Sequence, residues 1–151
     1  MIPELVKTNK IGVKICGIRS LDDALQCINL GADALGINFW NKSKRYVTRD
    51  IVETWVDKLD PKVERIGVFV DESYENIISL IDDGIIHAAQ LHGNEDNSFC
   101  EKFLDKYKVI RAVGIKDDES VDNATRIVVK TVLLDTYCGN DFGGSGHTFE
   151  W

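Results

Sequence analysis

Short β-rich runs alternate along this chain with longer amphipathic stretches, and glycine, asparagine or aspartate marks most of the joints. The β-type runs are Ile11 to Cys16, Ala34 to Phe39, Arg65 to Val70, Ala88 to Leu91, Val109 to Val113 and Thr131 to Leu134. Helical periodicity fills the gaps at Leu21 to Leu30, Arg49 to Leu59, Tyr74 to Ile81, Glu95 to Tyr107 and, more weakly patterned, Asp118 to Arg126. Strands separated by single helices run parallel, because a parallel connection needs a crossover of about a dozen residues. The chain is therefore α/β. Ser20, ahead of Asp22 and Asp23, reads as a helix start, and Gly31 and Gly84 as helix stops. Only Pro3 and Pro61 occur, and no linker or low-complexity tract interrupts the pattern, so residues 1–151 are expected to form a single domain. A βα repeat of about 20 to 30 residues suits a (βα)8 barrel and an open doubly wound sheet alike.

Composition narrows the function classes. A net charge of -7 with no Lys/Arg stripe argues against nucleic acid as a partner. A small anionic ligand needs only a few local cations, and Lys42-Ser43-Lys44-Arg45 supplies one such concentration. The N-terminal residues lack an apolar signal core, and no stretch approaches the roughly 18 apolar residues of a membrane span. The four cysteines, at 16, 27, 100 and 138, have neither CxxC spacing nor the density of a secreted scaffold, so reduced thiols, a cytoplasmic setting and no metal are expected.

Unusual residues collect where strands end, which is where both parallel architectures place their active sites. Cys16 ends the first run, Asn38 to Arg45 follow the second, Asp71 the third, Gln90 and His92 mark the fourth, Gly114 the fifth and Asp135 the sixth. Strand alternation puts Lys14 and Cys16 on one face, and Leu133 and Asp135 likewise share a face. In a barrel, Cys16 and Asp135 would both look into the mouth, the first as a thiolate base and the second as an acid if its pKa is raised. Plainer readings stand beside these. Cys27 and Cys100 fit helix packing, and Cys16 itself is of a type that is often simply buried. Asp135 suits an Asx turn, His92 a hydrogen-bonded structural histidine, and Arg45 a solvated cationic face. The glycine-rich segment from Gly139 to Gly146 lacks a P-loop's Lys-Ser/Thr and reads as a lid.

Taken in order, the segments resemble the phosphoribosylanthranilate isomerases, (βα)8 enzymes of tryptophan biosynthesis. The resemblance is carried by Lys14-Ile15-Cys16-Gly17-Ile18, Ser43-Lys44-Arg45-Tyr46-Val47, Ile66-Gly67-Val68-Phe69-Val70-Asp71, Gln90-Leu91-His92-Gly93, and Leu133-Leu134-Asp135-Thr136 with Gly143 to Trp151. It implies an Amadori rearrangement of N-(5-phosphoribosyl)anthranilate to 1-(2-carboxyphenylamino)-1-deoxyribulose 5-phosphate, without cofactor or metal. Mapped onto this chain, protonated Asp135 opens the furanose ring and the Cys16 thiolate removes the sugar C2 proton. Arg45 holds the anthranilate carboxylate, with His92 and Gln90 lining the same mouth. Opposed pKa shifts are expected, an Asp135 that keeps its proton and a Cys16 that loses one below its ordinary value near 8.5.

The expected fold is thus a partial (βα)8 barrel of about six βα units. Its last two strands, with the phosphate loops that such barrels commonly carry there, have no counterpart before Trp151. Unpaired edges on the first and sixth strands would invite self-association or completion by a separate fragment. Two alternatives therefore stay open: an inactive partial barrel acting as an interaction or complementation piece, and an open doubly wound binding module.

Overall fold

The computed structural model describes residues 11–137. Six strands form one parallel sheet in the order of the chain: β1 (Lys14–Cys16), β2 (Ala34–Asn38), β3 (Glu64–Phe69), β4 (Ala88–Leu91), β5 (Val109–Ile115) and β6 (Thr131–Thr136). Between them run α1 (Leu21–Asn29), α2 (Arg49–Glu53), α3 (Tyr74–Asp82), α4 (Asn97–Glu101) and α5 (Asp118–Thr125). A doubly wound sheet requires the strand order to reverse at a switch point. No reversal occurs here, so that alternative is excluded and the six units wind as consecutive parts of a (βα)8 barrel.

Strand alternation builds two cores. Leu35, Ile37, Phe69, Ala89, Leu91 and Val109 point outward and pack with Ile77, Leu80, Cys100 and Phe103 from the helical layer. Ala34, Ile66, Ala88 and Ile110, with Leu133 against them, point inward as a separate cluster. Small alanines facing larger isoleucines let this inner layer close around the barrel axis. Further along β2, β4 and β6 the inward positions change from apolar to polar, at Asn38, Gln90 and Asp135, and Cys16 joins them from β1. The inner layer therefore forms the floor and the polar positions the mouth.

Helix α1 begins at Ser20, whose hydroxyl accepts from the Asp23 N–H at 3.1 Å, and Gly31 and Gly84 follow α1 and α3 with φ of +96° and +71°. Two expected helices are shorter than the periodicity implies. The second stops at Glu53 because the Thr54 hydroxyl bonds back to the Ile51 carbonyl at 2.7 Å, and only one 3₁₀ turn, Val56–Lys58, resumes the winding. The fourth starts at Asn97, not at Glu95. Its cap is Asp96, and Glu95 is drawn into tertiary hydrogen bonds instead. After Glu101 the backbone bonds tighten to three-residue spacing, while Phe103 and Tyr107 stay packed edge to face with Tyr74 and Phe99 tilts against Phe103. In the opposite direction, β5 and β6 outlast their expected ends, so Gly114 and Asp135 lie within the ladder, paired with each other.

Candidate active site

The five residues singled out from sequence, Cys16, Arg45, Gln90, His92 and Asp135, line one cavity of about 230 Å³ at the C-terminal ends of the strands. Lys14, Asn38 and Trp40 complete its polar wall, and Val68, Val70 and Leu133 its apolar floor. Lys42, Lys44 and Arg45 are all exposed, but of the three only Arg45 lines the cavity, so the cationic run divides. The remaining cysteines separate in the same way. Cys100 is fully buried, its thiol pushed up by desolvation, and Cys27 packs at the margin of the outer core. The Gly139 to Gly146 segment and the motif from Gly143 to Trp151 lie outside the described residues.

Arg45 reaches the mouth because of Gly17. Its alkyl stem crosses the Gly17 Cα so closely that a β-carbon there would collide with it, and the Gly17 φ of +97° favours glycine independently. The guanidinium then donates from Nη1 to the Cys16 carbonyl at 3.2 Å. Gly36 plays the matching part on β2: a β-carbon there would sit 2.8 Å from Cys16 Sγ and 2.9 Å from Lys14 Nζ. Sulfur and ammonium thus share the space that the missing side chain leaves.

Across the mouth, a continuous series of polar contacts joins β1 to β6. Lys14 Nζ donates to Gln90 Oε1 at 3.0 Å, Gln90 Nε2 meets His92 Nδ1 at 3.1 Å, and His92 Nε2 meets Asp135 Oδ2 at 3.1 Å. The other carboxylate oxygen, Oδ1, accepts from the Thr136 N–H at 2.8 Å. Here the sequence expectation fails in sign. Asp135 was expected to hold its proton through burial, but its pKa is lowered, because the His92 hydrogen bond favours the carboxylate more strongly than desolvation opposes it. In the resting site Asp135 is an acceptor.

The loop that carries His92 is fixed from below by a group the sequence reading missed. The Glu95 carboxylate accepts from the Asp71 N–H at 2.9 Å and the Gly93 N–H at 2.8 Å, tying the turns after β3 and β4 together. Asp71, held at a φ of 51°, accepts from Asn94 in return. Arg111 stands 3.7 Å from Glu95 and donates to the carbonyls of Leu91, Gly93 and Glu95. Among the described residues no group of three or more His, Cys, Asp or Glu side chains could hold a metal, and no helix is long and apolar enough to cross a membrane.

Comparison with known proteins gives the site its context. The family model for N-(5'-phosphoribosyl)anthranilate (PRA) isomerase matches residues 13–151. The N-(5'-phosphoribosyl)anthranilate isomerase of Thermotoga neapolitana is 44% identical over 141 residues, which span 93% of this chain and 68% of the relative. That of Neisseria gonorrhoeae is 38% identical over 144 residues. The crystal structure of phosphoribosyl anthranilate isomerase from Thermotoga maritima superposes with a TM-score of 0.86 at 40% identity, covering 94% of this chain and 69% of that one. A second solved structure, with a TM-score of 0.79, 39% identity and coverage of 85% of this chain and 66% of that one, is a phosphoribosyl anthranilate isomerase in complex with reduced 1-(o-carboxyphenylamino)-1-deoxyribulose 5-phosphate. A shared barrel, a matching family model and identity along nearly the whole chain agree, and the chain belongs to the N-(5'-phosphoribosyl)anthranilate isomerase family.

Proposed function

We propose that this chain, acting as one domain, carries the catalytic half-sites of an aldose–ketose isomerase that converts N-(5'-phosphoribosyl)anthranilate to 1-(2-carboxyphenylamino)-1-deoxyribulose 5-phosphate. The observation that supports it best is the single cavity onto which Cys16 and Asp135 converge from the two ends of the sheet. Asp135 donates a proton to the furanose oxygen, the C1–O bond breaks, and the anthranilate nitrogen supplies the electrons that form a Schiff base. The Cys16 thiolate then takes the proton from C2, the C2–H pair becomes the C1=C2 bond of an enolamine, and protonation at C1 by the Cys16 thiol with loss of the C2 hydroxyl proton to the Asp135 carboxylate leaves the ketone at C2 and restores both groups. This is an internal redox exchange between two carbons, so it requires no added cofactor. A thiolate base suits the reducing cytoplasm.

Asp135 must become protonated before the first step. A substrate bearing a carboxylate and a phosphate brings like charge to the mouth and displaces water, and both effects favour the neutral acid. The guanidinium of Arg45 pairs with the anthranilate carboxylate in a fork geometry. A cavity of about 230 Å³ is smaller than the roughly 300–1,000 Å³ of sites that enclose a whole small ligand, so the phosphoribosyl end extends beyond it.

A second reading draws on β1 and β6, the end strands of the sheet among the described residues. Val13 and Ile15 are exposed at β1, as are Leu134 and Tyr137 at the β6 end, and apolar sheet edges of this kind associate with a further copy or a complementing piece. One assay separates the two readings. Product formation is followed with the 151-residue chain alone and after mixing with the C-terminal third of the Thermotoga neapolitana relative. Turnover by the chain alone supports the first reading. Turnover only on mixing assigns it the second. No turnover in either sample overturns the catalytic role.

A further inference from the structure

We propose that Lys14 is a positioning residue that sets the direction of the hydrogen bonds running from β1 through Gln90 and His92 to Asp135. An ammonium group only donates, so the Gln90 atom 3.0 Å from Lys14 Nζ is Oε1. The planar amide then turns Nε2 towards His92 Nδ1, 3.1 Å away. An amide nitrogen also only donates, which makes Nδ1 the acceptor and places the ring proton on Nε2, 3.1 Å from Asp135 Oδ2. One cation on β1 therefore fixes a tautomer on β4 and the acceptor role of a carboxylate on β6.

Without that cation the amide is free to turn over. Oε1 then accepts from an Nδ1–H, and the bare Nε2 lone pair faces the Asp135 carboxylate, acceptor against acceptor. Asp135 then takes up a proton or swings away, or His92 takes a second proton and donates to both acceptors. Gln90 is 3% exposed, so solvent offers it little alternative partnering, and the choice between the two directions falls to Lys14. Among the described residues that line the cavity no other lysine or arginine replaces it: Arg45 is engaged at the Cys16 carbonyl, and β3 with the residue after it contributes Val68 and Val70.

This role rests on the isomerase reading for its purpose, since it orients the proposed acid, but its test needs no turnover. The chain is labelled with nitrogen-15 histidine, and the His92 signals are assigned by their loss in His92→Asn. The wild type is expected to show a single His92 tautomer, protonated at Nε2. In Lys14→Met the Nδ1-protonated form becomes populated, and Lys14→Arg restores the original pattern. Gln90→Glu, with Lys14 intact, presents an acceptor to Nδ1 while Asp135 still accepts at Nε2, so Nδ1 gains a proton and the ring leaves the form protonated at Nε2 alone. Either Lys14→Met or Gln90→Glu keeping the wild-type tautomer overturns the proposal. If Lys14→Met does not fold, Gln90→Glu decides alone. A chain that shows these shifts but no isomerisation loses the isomerase reading and keeps this one.

Discussion

Cys16→Ala and Asp135→Asn are each expected to lower turnover of N-(5'-phosphoribosyl)anthranilate by on the order of 10²–10⁴-fold, the usual contribution of a positioned acid or base. The loss belongs in kcat, with KM nearly unchanged, because neither group is assigned to hold the substrate. Steady-state kinetics under whichever condition of the mixing assay gives turnover measures both. A variant that keeps wild-type kcat removes its residue from proton transfer.

Asp135→Asn has a second consequence, in stability. The folded carboxylate is held below its ordinary value, so it stabilises the fold fully above about pH 3.9 and loses that contribution as the pH falls through the folded value. Asparagine does not titrate. The variant is therefore expected to show a flatter stability profile on the acid side than the wild type, and an unchanged slope would mean that His92 and Asp135 do not interact in solution.

Glu95→Ala is expected to cost about 3–5 kcal/mol, the range for breaking a buried ion pair by removing one partner. The Glu95 side chain is 3% exposed and that of Arg111 12%, so the guanidinium would lose its counter-charge with little access to water. Two backbone N–H groups, those of Asp71 and Gly93, lose their acceptor in the same step. Urea denaturation reads the effect as a lower midpoint with an unchanged slope. A loss under about 1 kcal/mol would be surface-pair behaviour and would contradict the clamp.

Much of the barrel was legible because local rules and the fold agree. Ala88 to Leu91 appears with the bounds its β-rich run implies, Ser20 caps α1, and period-two alternation put Cys16 and Asp135 on inward faces. What escaped was decided by partners far away in the chain. Glu95 reads as the acidic first turn of a helix, yet Asp71, 24 residues earlier, takes its carboxylate. Lys14 shares a face with Cys16 in the sequence pattern, but its partner Gln90 is 76 residues away and follows from the strand order alone. The sign of the Asp135 shift was lost for the same reason: burial is visible locally, whereas His92 lies 43 residues distant.

Strand β4 carries its own control for the central claim, since His87 precedes it at the opposite end of the sheet, beside Glu64, while His92 follows it in the mouth. Titrating the nitrogen-15 histidine-labelled chain with reduced 1-(o-carboxyphenylamino)-1-deoxyribulose 5-phosphate reads both ends at once. The account predicts that His92 shifts in a saturable way, that His87 stays still, and that Arg45→Met weakens the response. A still His92, or a shift confined to His87, would contradict it.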